Sequence, residues 1–439
     1  MEKTNVRALA LRLLLSWESE DKFINLVLED AEARRLPEED KRLLTALLYG
    51  VVERRITLDY IITKLADRPA QGLAPHTRAL LQVGLYQLLY MDGIPDFAAV
   101  NETVALAANR GERGLVNALL REAKRSPDRY ALPPREQDTA TYLSLAYAFP
   151  RNLVRHLLRE YAEETVEGML AFFNRTQPLT LRVNTKKTTR PALLALLREA
   201  GVAAEATTYA PNGIRLAASA NPTALPGFEE GLFYIQDEAS QIAVAALGAE
   251  GTRLVIDTCA CPGGKSFGAA MDMGEDGEVL SFDLHESKLS LITEGAARLS
   301  LSNVRAEVHN GEEARADLLG RADRVLCDAP CSGIGVLGKK ADLRHRAARR
   351  PDLPDLQKRI LFSAAKYVKR GGVLVYSTCT LNRAENEAVA EEFLAAHPQF
   401  APAPFSVGDL HAESGSVTLL PSVHGTDGFF IAKFKYVQD

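Results

Sequence analysis

The stretch Leu254-Val-Ile-Asp-Thr-Cys-Ala-Cys-Pro-Gly-Gly-Lys-Ser266 runs from a short apolar segment into a glycine-rich loop. Residues 254–256 are predicted to form a strand. Gly263 and Gly264 let the backbone approach a ligand closely before the next helix, whose first amides lack helical partners. A strand, a tight glycine turn and a helix in this order are typical of nucleotide-binding α/β domains.

The chain after this stretch repeats the alternation of strand and helix. Four further apolar segments are predicted strands, and three amphipathic segments are the clearest helices. The strands are 279–282, 304–308, 325–327 and 373–376, and the helices are 286–299, 355–368 and 384–395. Continuous apolar strands between helices indicate a doubly wound parallel sheet, covered on both faces. Ligands of such sheets bind beyond the carboxyl ends of the strands, where Asp257, Asp283 and Asp328 lie.

The chain before residue 254 has a different pattern. Apolar residues recur every three or four positions up to about residue 125, with breaks at Pro37, Pro75 and Pro95, which predicts an all-α bundle. Further on, strand-like, helical and strand-like segments at 179–183, 190–200 and 231–236 predict a small α+β subdomain. The predicted domains are an all-α bundle (1–128), a linker with helices (129–175), the α+β subdomain (176–238) and a Rossmann-like α/β domain (239–439).

Composition is that of a globular protein, with 439 residues, 46% hydrophobic and 25% charged. No run of about 18 apolar residues occurs, so we expect no membrane span. The net charge of -5 argues against coating nucleic acid by bulk electrostatics. All five cysteines lie at or after residue 259 and none are spaced as repeated pairs, which indicates a reduced cytoplasmic protein and not a disulfide framework.

Three nucleotide ligands compete for the glycine loop. An NAD site requires Gly-x-Gly-x-x-Gly, which is absent, and a P-loop requires a glycine where Cys259 stands. S-adenosylmethionine fits best, since a looser glycine loop followed by an acidic strand end such as Asp283 suffices for it. The alternative is a tight turn without a ligand. Cys259 and Cys261 have no second Cys or His pair at ligand spacing, so we expect no metal.

Two cysteines lie in short loops with polar neighbours, Asp328-Ala-Pro-Cys-Ser-Gly333 and Tyr376-Ser-Thr-Cys-Thr380. A thiolate that adds to carbon 6 of cytosine makes carbon 5 nucleophilic enough to attack a methyl sulfonium, and loss of the carbon 5 proton then expels the thiol. Such a site needs an activated cysteine and a group that binds the edge of an unstacked base. Asp328, Cys331 and Cys379 supply these groups, unless the cysteines are small buried hydrophobic residues.

Three motifs, CACPGGK at 259–265, DAPCSG at 328–333 and STC at 377–379, together closely resemble the RNA cytosine-carbon-5 methyltransferases, which use S-adenosylmethionine. The resemblance implies that Cys379 is the nucleophile and that Cys331 assists product release. It implies that Asp328 binds the cytosine edge and that Lys265 lies in the active site. The cofactor-binding residues that it implies are Cys259, Ala260, Cys261, Pro262, Gly263, Gly264, Lys265, Asp283, Glu312 and Asp328.

The resemblance extends over the rest of the chain. The all-α start looks like a NusB-type RNA-binding domain, and 235–241 and 420–430 resemble the family's entry into the catalytic domain and its final turn and strand. This layout is similar to that of the bacterial Sun/RsmB-type enzymes, which implies methylation of a cytidine in 16S ribosomal RNA; we expect a monomer. The alternatives are a methyltransferase for tRNA, another RNA or DNA, and a non-catalytic RNA-binding or antitermination factor that kept the fold.

Other polar residues are candidates for RNA contact. A segment that follows the Asp328 loop has Asp342 as its single acidic residue and carries six basic ones, Lys339, Lys340, Arg344, Arg346, Arg349 and Arg350. It is predicted to hold phosphates around a splayed-out cytidine, or else to be a solvated charged loop. Arg182 and Asn184 are further candidates. His424 and Asp427 are predicted turn residues and not a catalytic pair.

Overall fold

The computed structural model describes most of the chain. The described residues are 5–20, 22–217, 221–274, 276–346 and 350–437. Contacts divide the chain into two compact units, Met1–Asn174 with Lys340–Ala348 and Arg175–Lys339 with Arg349–Asp439. The segment Lys340–Ala348, which follows the Asp328 loop in sequence, therefore belongs to the first unit.

The first unit is built from α-helices, and the second unit combines helices with strands. In chain order the described helices are α1 (Val6–Glu20), α2 (Ile24–Val27), α3 (Ala31–Arg34), α4 (Glu38–Ala66), α5 (Pro75–Tyr90), α6 (Asp96–Ala105), α7 (Arg110–Arg125), α8 (Thr139–Tyr147), α9 (Arg151–Glu160), α10 (Glu163–Phe173), α11 (Arg190–Glu199), α12 (Glu238–Leu247), α13 (Gly264–Asp272), α14 (Leu289–Leu299), α15 (Leu343–Arg346), α16 (Leu353–Ala365), α17 (Glu387–Ala396) and α18 (Pro421–His424). Helices α1 to α10 and α15 belong to the first unit.

The three predicted breaks in the helical half are confirmed. Helix α4 begins directly after Pro37, α5 begins with Pro75, and α6 begins directly after Pro95. Proline is tolerated at a helix start because the first amides have no helical partner there, whereas inside a helix it removes a hydrogen bond. The prolines thus separate the helices of the bundle.

Helices α4 and α5 form the centre of the bundle. Leu47 and Leu48 of α4 and Leu81 of α5 are fully buried. The two helices approach each other closely at Gly50, where a Cβ atom would lie 1.9 Å from Cζ of Tyr86. The missing side chain therefore makes room for the Tyr86 ring in this bundle.

The predicted α+β subdomain is confirmed within the second unit. Its four strands are β1 (Thr180–Val183), β2 (Ala204–Ala206), β3 (Gly213–Leu216) and β4 (Phe233–Ile235). They pair antiparallel in the order β2-β3-β1-β4. Leu193 and Leu197 of α11 pack in the same core as Leu181 and Ile214. One face of this small sheet is thereby buried.

An eight-stranded sheet organises the rest of the second unit. The strands that follow β4 are β5 (Leu254–Asp257), β6 (Glu278–Asp283), β7 (Val304–Val308), β8 (Ala322–Asp328), β9 (Val368–Thr378), β10 (Phe400–Pro402), β11 (Phe405–Val407), β12 (Leu410–Ala412), β13 (Ser416–Leu419) and β14 (Phe429–Tyr436). The order is β10-β14-β9-β8-β5-β6-β7, with β13 paired to β14, while β11 and β12 form a separate ribbon.

The predicted parallel sheet is confirmed for all five predicted strands, and three further strands extend it in antiparallel pairing. Strands β7, β6, β5, β8 and β9 are parallel neighbours. Strand β14 runs antiparallel to β9, and β10 and β13 run antiparallel to β14. Strand β14 follows β13 through the short connection 420–428, and a parallel pair would need a longer crossover. The result is a Rossmann-like sheet with an antiparallel edge.

Because the strands are parallel, the predicted acidic residues all lie at the carboxyl ends of the strands, on one side of the sheet. Strand β5 ends at Asp257, β6 at Asp283 and β8 at Asp328, as predicted. The chain passes from β5 to β6 on one side, whereas β8 pairs with β5 on the other side. Ligands of doubly wound sheets bind at such a reversal of strand order. The candidate site therefore lies at the carboxyl ends of β5 and β8.

Two kinds of feature are absent from the described ranges. No helix there is long and apolar enough to cross a membrane. In the same ranges no group of three or more His, Cys, Asp or Glu side chains is arranged to hold a metal ion.

Candidate active site

The glycine loop joins β5 to α13, as the sequence predicts. Gly263 has φ +104°, a backbone conformation that favours glycine, and a Cβ atom there would lie 2.5 Å from Cζ of Phe267. Gly264 begins α13, so the amides of the first helical turn lack helical partners. The hydroxyl of Tyr234 donates to the Gly264 carbonyl at 2.8 Å. A strand of the small subdomain thus anchors the loop.

A buried chain of hydroxyl groups fixes the start of α13 to two strands. Ser266 Oγ donates to Oδ2 of Asp257 at 2.7 Å, and Ser281 Oγ donates to Ser266 Oγ at 2.8 Å. All three side chains are buried. Burial raises the pKa of Asp257 to about 7, and the nearby charge of Asp328 acts in the same direction. Gly264-Lys265-Ser266 has the residues that end a P-loop motif, but Ser266 has a structural role here, because it connects α13 to the strands β5 and β6.

A cavity of about 180 Å³ opens beside this loop. One wall comprises Gln236, Asp237 and Ser240, from β4 to the start of α12. The other wall comprises Asp257, Cys259, Ala260, Cys261, Pro262, Gly264, Lys265 and Asp328. Oδ1 of Asp257 is buried without a hydrogen-bond partner among the described residues. The cavity is therefore lined by carboxyl groups, one ammonium group and the glycine loop.

Lys265 and Asp328 form an ion pair at the cavity. Nζ of Lys265 lies 2.6 Å from Oδ2 of Asp328, and Ser377 Oγ donates to Oδ1 of the same carboxylate at 2.7 Å. The Lys265 ammonium also lies 5.3 Å from the centre of the Phe429 ring. Burial alone would lower the pKa of Lys265, but the Asp328 carboxylate outweighs it and the pKa is raised. Lys265 therefore stays charged, and Asp328 is held by both of its oxygens.

The two predicted cysteines lie side by side. Sγ of Cys331 is 3.2 Å from Sγ of Cys379, on loops that follow the neighbouring strands β8 and β9. The hydrogen bond with Cys379, and then burial, raise the pKa of the Cys331 thiol well above its usual value. Cys379 also interacts electrostatically with the Lys265 ammonium, in the direction that raises the pKa of Lys265. The thiols, the ammonium and Asp328 thus form one electrostatic cluster.

The other three cysteines have environments that suppress thiolate formation. Cys327 is fully buried in β8, and burial raises its pKa to about 12. Burial also raises the pKa of the Cys259 thiol well above its usual value. Burial and then the charge of Asp283 raise the pKa of Cys261. Cys327 is therefore a core residue, and the two loop thiols are held protonated.

Two predicted cofactor residues lie outside the cavity wall. Asp283 ends β6, and its Oδ1 accepts a hydrogen bond from the His285 amide at 3.0 Å. Glu312 lies in the loop after β7, where Oε2 is 2.5 Å from Nε of Arg359. Neither is among the residues that line the 180 Å³ cavity. Their roles toward a cofactor stay predictions.

Part of the basic segment is structural. In the first unit Arg344 is 1% exposed and donates to Oδ1 of Asn174 at 2.7 Å and to the Phe173 carbonyl at 2.9 Å. Asp342 accepts from Nε1 of Trp17 at 2.6 Å and from the Ile24 amide at 3.1 Å. The prediction that Arg344 holds RNA phosphates is wrong, because its guanidinium satisfies carbonyl oxygens inside the bundle.

Three of the remaining basic residues of the segment also have partners, whereas Lys340 is exposed. Lys339 Nζ lies 2.5 Å from Oδ2 of Asp237 and 2.8 Å from Oδ2 of Asp427. Arg346 donates to the Lys22 carbonyl at 2.9 Å, and Arg350 pairs with Asp352. Arg349 lies outside the described residues. For the exposed residues Lys340 and Arg350 the phosphate-binding role stays a prediction.

Two further sequence candidates for RNA contact are buried. Arg182 is 4% exposed and bonds to Asp272, with Nη2 3.1 Å from Oδ2. Asn184 is fully buried and donates to the carbonyls of Gly231 and Leu299, both at 2.9 Å. Both predictions are wrong, because these side chains join the small sheet to α13 and α14.

His424 and Asp427 have separate partners, in agreement with their prediction as turn residues. His424 Nδ1 accepts from the Leu420 amide at 2.9 Å. Asp427 is buried against Lys339, and burial raises its pKa to about 7. Gly425, at φ +70°, ends the short helix α18 between them.

Three residues of the site escaped the sequence analysis as contributors. Ser377 belongs to the quoted STC motif at the end of a predicted strand, and its place two residues before Cys379 could have indicated that the two side chains share a face of the sheet. Ser266 was compared only with P-loops. Glu385 accepts hydrogen bonds beside the cysteine loops but lies in a charged stretch that resembles a solvated helix start. No signal in one sequence separates it from its acidic neighbours.

Comparisons with known families cover each part of the chain. Residues 244–435 match the family model described as 16S rRNA methyltransferase RsmB/F. Residues 4–125 match the NusB family, and residues 149–222 match the ferredoxin-like domain of the RsmF/B-like methyltransferases. The NusB-type bundle and the Rossmann-like methyltransferase domain predicted from sequence are therefore confirmed.

Curated relatives match over the full length. The chain is 35% identical to the probable ribosomal RNA small subunit methyltransferase B of Bacillus subtilis (strain 168), over 99% of each chain. It is 33% identical to the ribosomal RNA small subunit methyltransferase B of Klebsiella pneumoniae (strain 342), over 98% of each chain. Such identity over whole chains indicates a shared domain arrangement.

Solved structures share the fold. The crystal structure of PH0851 covers 98% of this chain and 99% of its own, with a TM-score of 0.77 and 25% identity. NSun6 from Pyrococcus horikoshii with SFG covers 67% of this chain and 100% of its own, with a TM-score of 0.60 and 22% identity. The motifs, the fold and the full-length relatives agree, and the chain belongs to the ribosomal RNA small subunit methyltransferase B family of RNA methyltransferases.

Proposed function

We propose that this enzyme methylates carbon 5 of a cytidine in 16S ribosomal RNA, with S-adenosylmethionine as the methyl donor and a covalent bond between Cys379 and the RNA. The observation that carries the proposal is the thiol pair: Cys331 and Cys379 lie 3.2 Å apart in the same electrostatic cluster as Lys265 and Asp328. A methyltransferase that acts on a nitrogen or oxygen atom would need no such pair.

The chemistry requires a thiolate at carbon 6 of the ring. Carbon 5 of cytosine is a weak nucleophile until a thiolate bond at carbon 6 gives it enamine character. Lys265 interacts electrostatically with Cys379, and the positive charge favours the thiolate form there. Cys379 is therefore the attacking group, and it leaves again when the carbon 5 proton is removed.

Cys331 is suited to a later step. Its pKa is raised well above the usual value by the hydrogen bond with Cys379 and by burial, so it remains a neutral thiol while Cys379 attacks. Once Cys379 is bonded to the ring, that hydrogen bond is lost and the Cys331 thiol gives up its proton to solvent more easily. The Cys331 thiolate then accepts the carbon 5 proton, while the bond between Cys379 and carbon 6 breaks and Cys379 leaves as a thiolate. We assign Cys331 to release of the methylated product, as the family resemblance implies.

We assign Asp328 and Lys265 to the edge of the base. The amino group of cytosine is a donor and N3 is an acceptor, which matches one carboxylate beside one ammonium group. Ser377 and Lys265 each hold one oxygen of Asp328, so that the carboxylate has a fixed orientation. The pair also disfavours uridine, because uridine presents an N3 donor and a carbonyl oxygen instead.

The cavity fits the cofactor in its charge and in its backbone. The carboxyl groups of Asp257 and Asp328 line it, and Oδ1 of Asp257 is buried without a partner among the described residues. Carboxyl groups suit a ligand that carries sulfonium and ammonium charges. Residues 259–265 and Asp328 would hold the cofactor, with Asp283 on the ribose hydroxyls and Glu312 as a further contact. The bound cofactor supplies an electrophilic methyl group.

The choice of 16S ribosomal RNA is supported by the relatives named ribosomal RNA small subunit methyltransferase B. A tRNA or another RNA is the alternative substrate, and a non-catalytic RNA-binding or antitermination factor is the alternative role. The intact thiol pair and the ion pair of Lys265 and Asp328 argue against the non-catalytic role, since RNA binding alone needs neither.

The test uses Cys379→Ala and Cys331→Ala with 16S rRNA and tRNA transcripts and labelled cofactor. We expect Cys379→Ala to lose methylation and Cys331→Ala to accumulate a covalent complex with 16S rRNA that denaturing electrophoresis resolves. A covalent complex with Cys379→Ala, or methylation of tRNA in preference to 16S rRNA, would overturn the corresponding part of the proposal.

A further inference from the structure

A buried carboxylate joins the two cysteine loops. Glu385 is 1% exposed, and its two oxygens accept four hydrogen bonds. Oε1 accepts from Ser332 Oγ at 2.6 Å and from Asn382 Nδ2 at 2.9 Å. Oε2 accepts from the Ser332 amide at 2.8 Å and from Gln357 Nε2 at 3.0 Å. The donors come from the loop after β8, from the loop after β9 and from α16.

Two of these contacts lie directly beside the thiols. Ser332 follows Cys331 in the chain, and Thr380 follows Cys379. Oγ of Ser332 lies 2.7 Å from Oγ1 of Thr380. Because Ser332 has a single hydroxyl proton and gives it to Glu385, Thr380 is the donor in this contact. A chain of hydrogen bonds therefore runs from the Cys379 loop through the Cys331 loop to the carboxylate.

We propose that Glu385 is a positioning residue, which holds the Cys331 and Cys379 loops at the separation that the methyl-transfer cycle requires. The proposal rests on the proposed function, in which both thiols act on one base. Gln357 strengthens the arrangement, because its Nε2 also donates to the Pro330 carbonyl at 2.9 Å and so ties the same loop to α16. Glu385 touches neither thiol through a hydrogen bond, so its effect on their separation passes through the loops. The hydrogen bond with Cys379 and burial raise the pKa of Cys331, and the charge of Glu385 adds to this. Loss of that charge alone would favour the thiolate and speed disulfide formation, so slower formation reports the loops.

An amide cannot replace this carboxylate. Each oxygen of Glu385 accepts two hydrogen bonds, and in Glu385→Gln one oxygen becomes an NH₂ group that faces two donors. The side chain keeps its shape, while two buried hydrogen bonds are lost. The Glu385 carbonyl still accepts from the Tyr376 hydroxyl at 2.6 Å, because that bond involves the main chain. Glu385→Gln therefore loosens the loops selectively.

The test measures thiol proximity and catalysis in the full-length protein. Diamide, an azo oxidant that is reduced to a hydrazine, converts two neighbouring thiols into a disulfide with loss of two protons and two electrons. The rate of Cys331–Cys379 disulfide formation, followed by mass spectrometry of the digested protein, reports how often the thiols meet. Methylation of 16S rRNA gives kcat and KM separately. Glu391→Gln, a change at an exposed glutamate of α17, is the matched control.

We expect Glu385→Gln to slow disulfide formation about 10-fold and to lower kcat about 10- to 100-fold, since small misplacements of reacting groups have effects of this size. The KM values for RNA and cofactor should stay within about 3-fold of wild type, because binding groups are untouched. Glu391→Gln should behave as wild type. Wild-type rates of disulfide formation in Glu385→Gln would overturn the proposal.

A second variant covers the case in which Glu385→Gln does not fold. Ser332→Ala removes the hydroxyl hydrogen bonds to Glu385 and Thr380. It keeps the hydrogen bond from the backbone N–H of residue 332 to Oε2 of Glu385. It should slow disulfide formation less than Glu385→Gln, and an unchanged rate would again overturn the proposal. Disulfide formation needs no RNA, so this measurement tests the role of Glu385 independently of methylation. If the wild-type enzyme did not methylate 16S rRNA, the proposed function would be refuted, and the disulfide rates would still decide the role of Glu385.

Discussion

Ser377 donates a hydrogen bond to Oδ1 of Asp328 at 2.7 Å, and thereby joins the ends of two neighbouring strands at the candidate site. Asp328 ends β8, and Ser377 lies one residue before the end of β9. The two residues are also register partners in the parallel pair of these strands. The sheet itself therefore sets the orientation of the carboxylate that we assign to the base.

The relationship predicts graded effects for two variants. Asp328→Asn keeps the size of the side chain but removes the charge that holds Lys265, and we expect methylation of 16S rRNA to fall about 100-fold or more. Ser377→Ala removes one hydrogen bond to a charged group and should cost about 10-fold. Steady-state kinetics with labelled cofactor measures both. Equal losses in the two variants would contradict the supporting role of Ser377.

Two glycines of the bundle differ in the space around them, so a methyl group added at each should have opposite effects on stability. Gly50 lies at the close contact of α4 and α5, and Gly114 lies in α7. Gly50→Ala would place Cβ 1.9 Å from the Tyr86 ring, so it should lower the free energy of unfolding by about 1–3 kcal/mol. At Gly114 of α7 a Cβ atom would meet nothing within 4 Å, so Gly114→Ala should raise the free energy of unfolding by about 0.5–1 kcal/mol.

The single tryptophan of the chain provides the measurement for both glycine variants. Trp17 is buried in the same bundle, so its fluorescence during urea unfolding reports on this unit. A Gly50→Ala protein as stable as the wild type would show that the Tyr86 ring moves aside without cost.

The buried contacts of Arg344 predict that its replacement lowers stability, although the sequence alone suggests that this residue contacts RNA. Arg344→Ala leaves Oδ1 of Asn174 and the Phe173 carbonyl without their buried donor, and it removes the guanidinium that lies over the Phe149 ring. We expect the free energy of unfolding of the first unit to fall by about 2–4 kcal/mol. Trp17 fluorescence measures it, with Arg42→Ala, at an exposed residue of α4 in the same unit, as the control, for which the change should be within about 0.5 kcal/mol.

Sequence patterns predicted those helices and strands that are determined by residues close together in the chain. The prolines mark the helix starts of the bundle, and the apolar strands of the catalytic domain place Asp257, Asp283 and Asp328 at one edge. The residues of β14 did not reveal which strand it would pair with. Its antiparallel position beside β9 depends on the short connection 420–428 that precedes it and not on its own sequence pattern.

The misassigned polar residues have a common physical reason. Arg182, Asn184 and Arg344 look like solvent-exposed RNA contacts in the sequence, but each satisfies buried carbonyl or carboxylate groups that lie far away along the chain. Glu385 was overlooked for the same reason, since its partners come from three separate segments. One sequence shows which residues are polar, and tertiary contacts decide which of them are buried.

Asp257 predicts a pH dependence of stability. Its pKa is about 7 in the folded protein, raised mainly by burial from an ordinary value of 3.8. The unfolded chain therefore loses the proton near pH 4, whereas the folded chain keeps it up to about pH 7. In this interval the unfolded state binds fewer protons, so the contribution of Asp257 destabilises the fold increasingly as pH rises, and it becomes constant above about pH 7.

Asp257→Asn removes this titration and keeps an acceptor for Ser266. The free energy of unfolding of Asp257→Asn minus that of the wild type should therefore increase by roughly 2–3 kcal/mol between pH 5 and pH 8. Far-UV circular dichroism during urea unfolding at the two pH values measures the difference. Asp276→Asn, at an exposed residue of the turn before β6, is a control in which no such increase is expected. A difference that stays constant from pH 5 to pH 8 would mean that Asp257 is ionised in the folded protein throughout, with a pKa close to that of an ordinary carboxyl group.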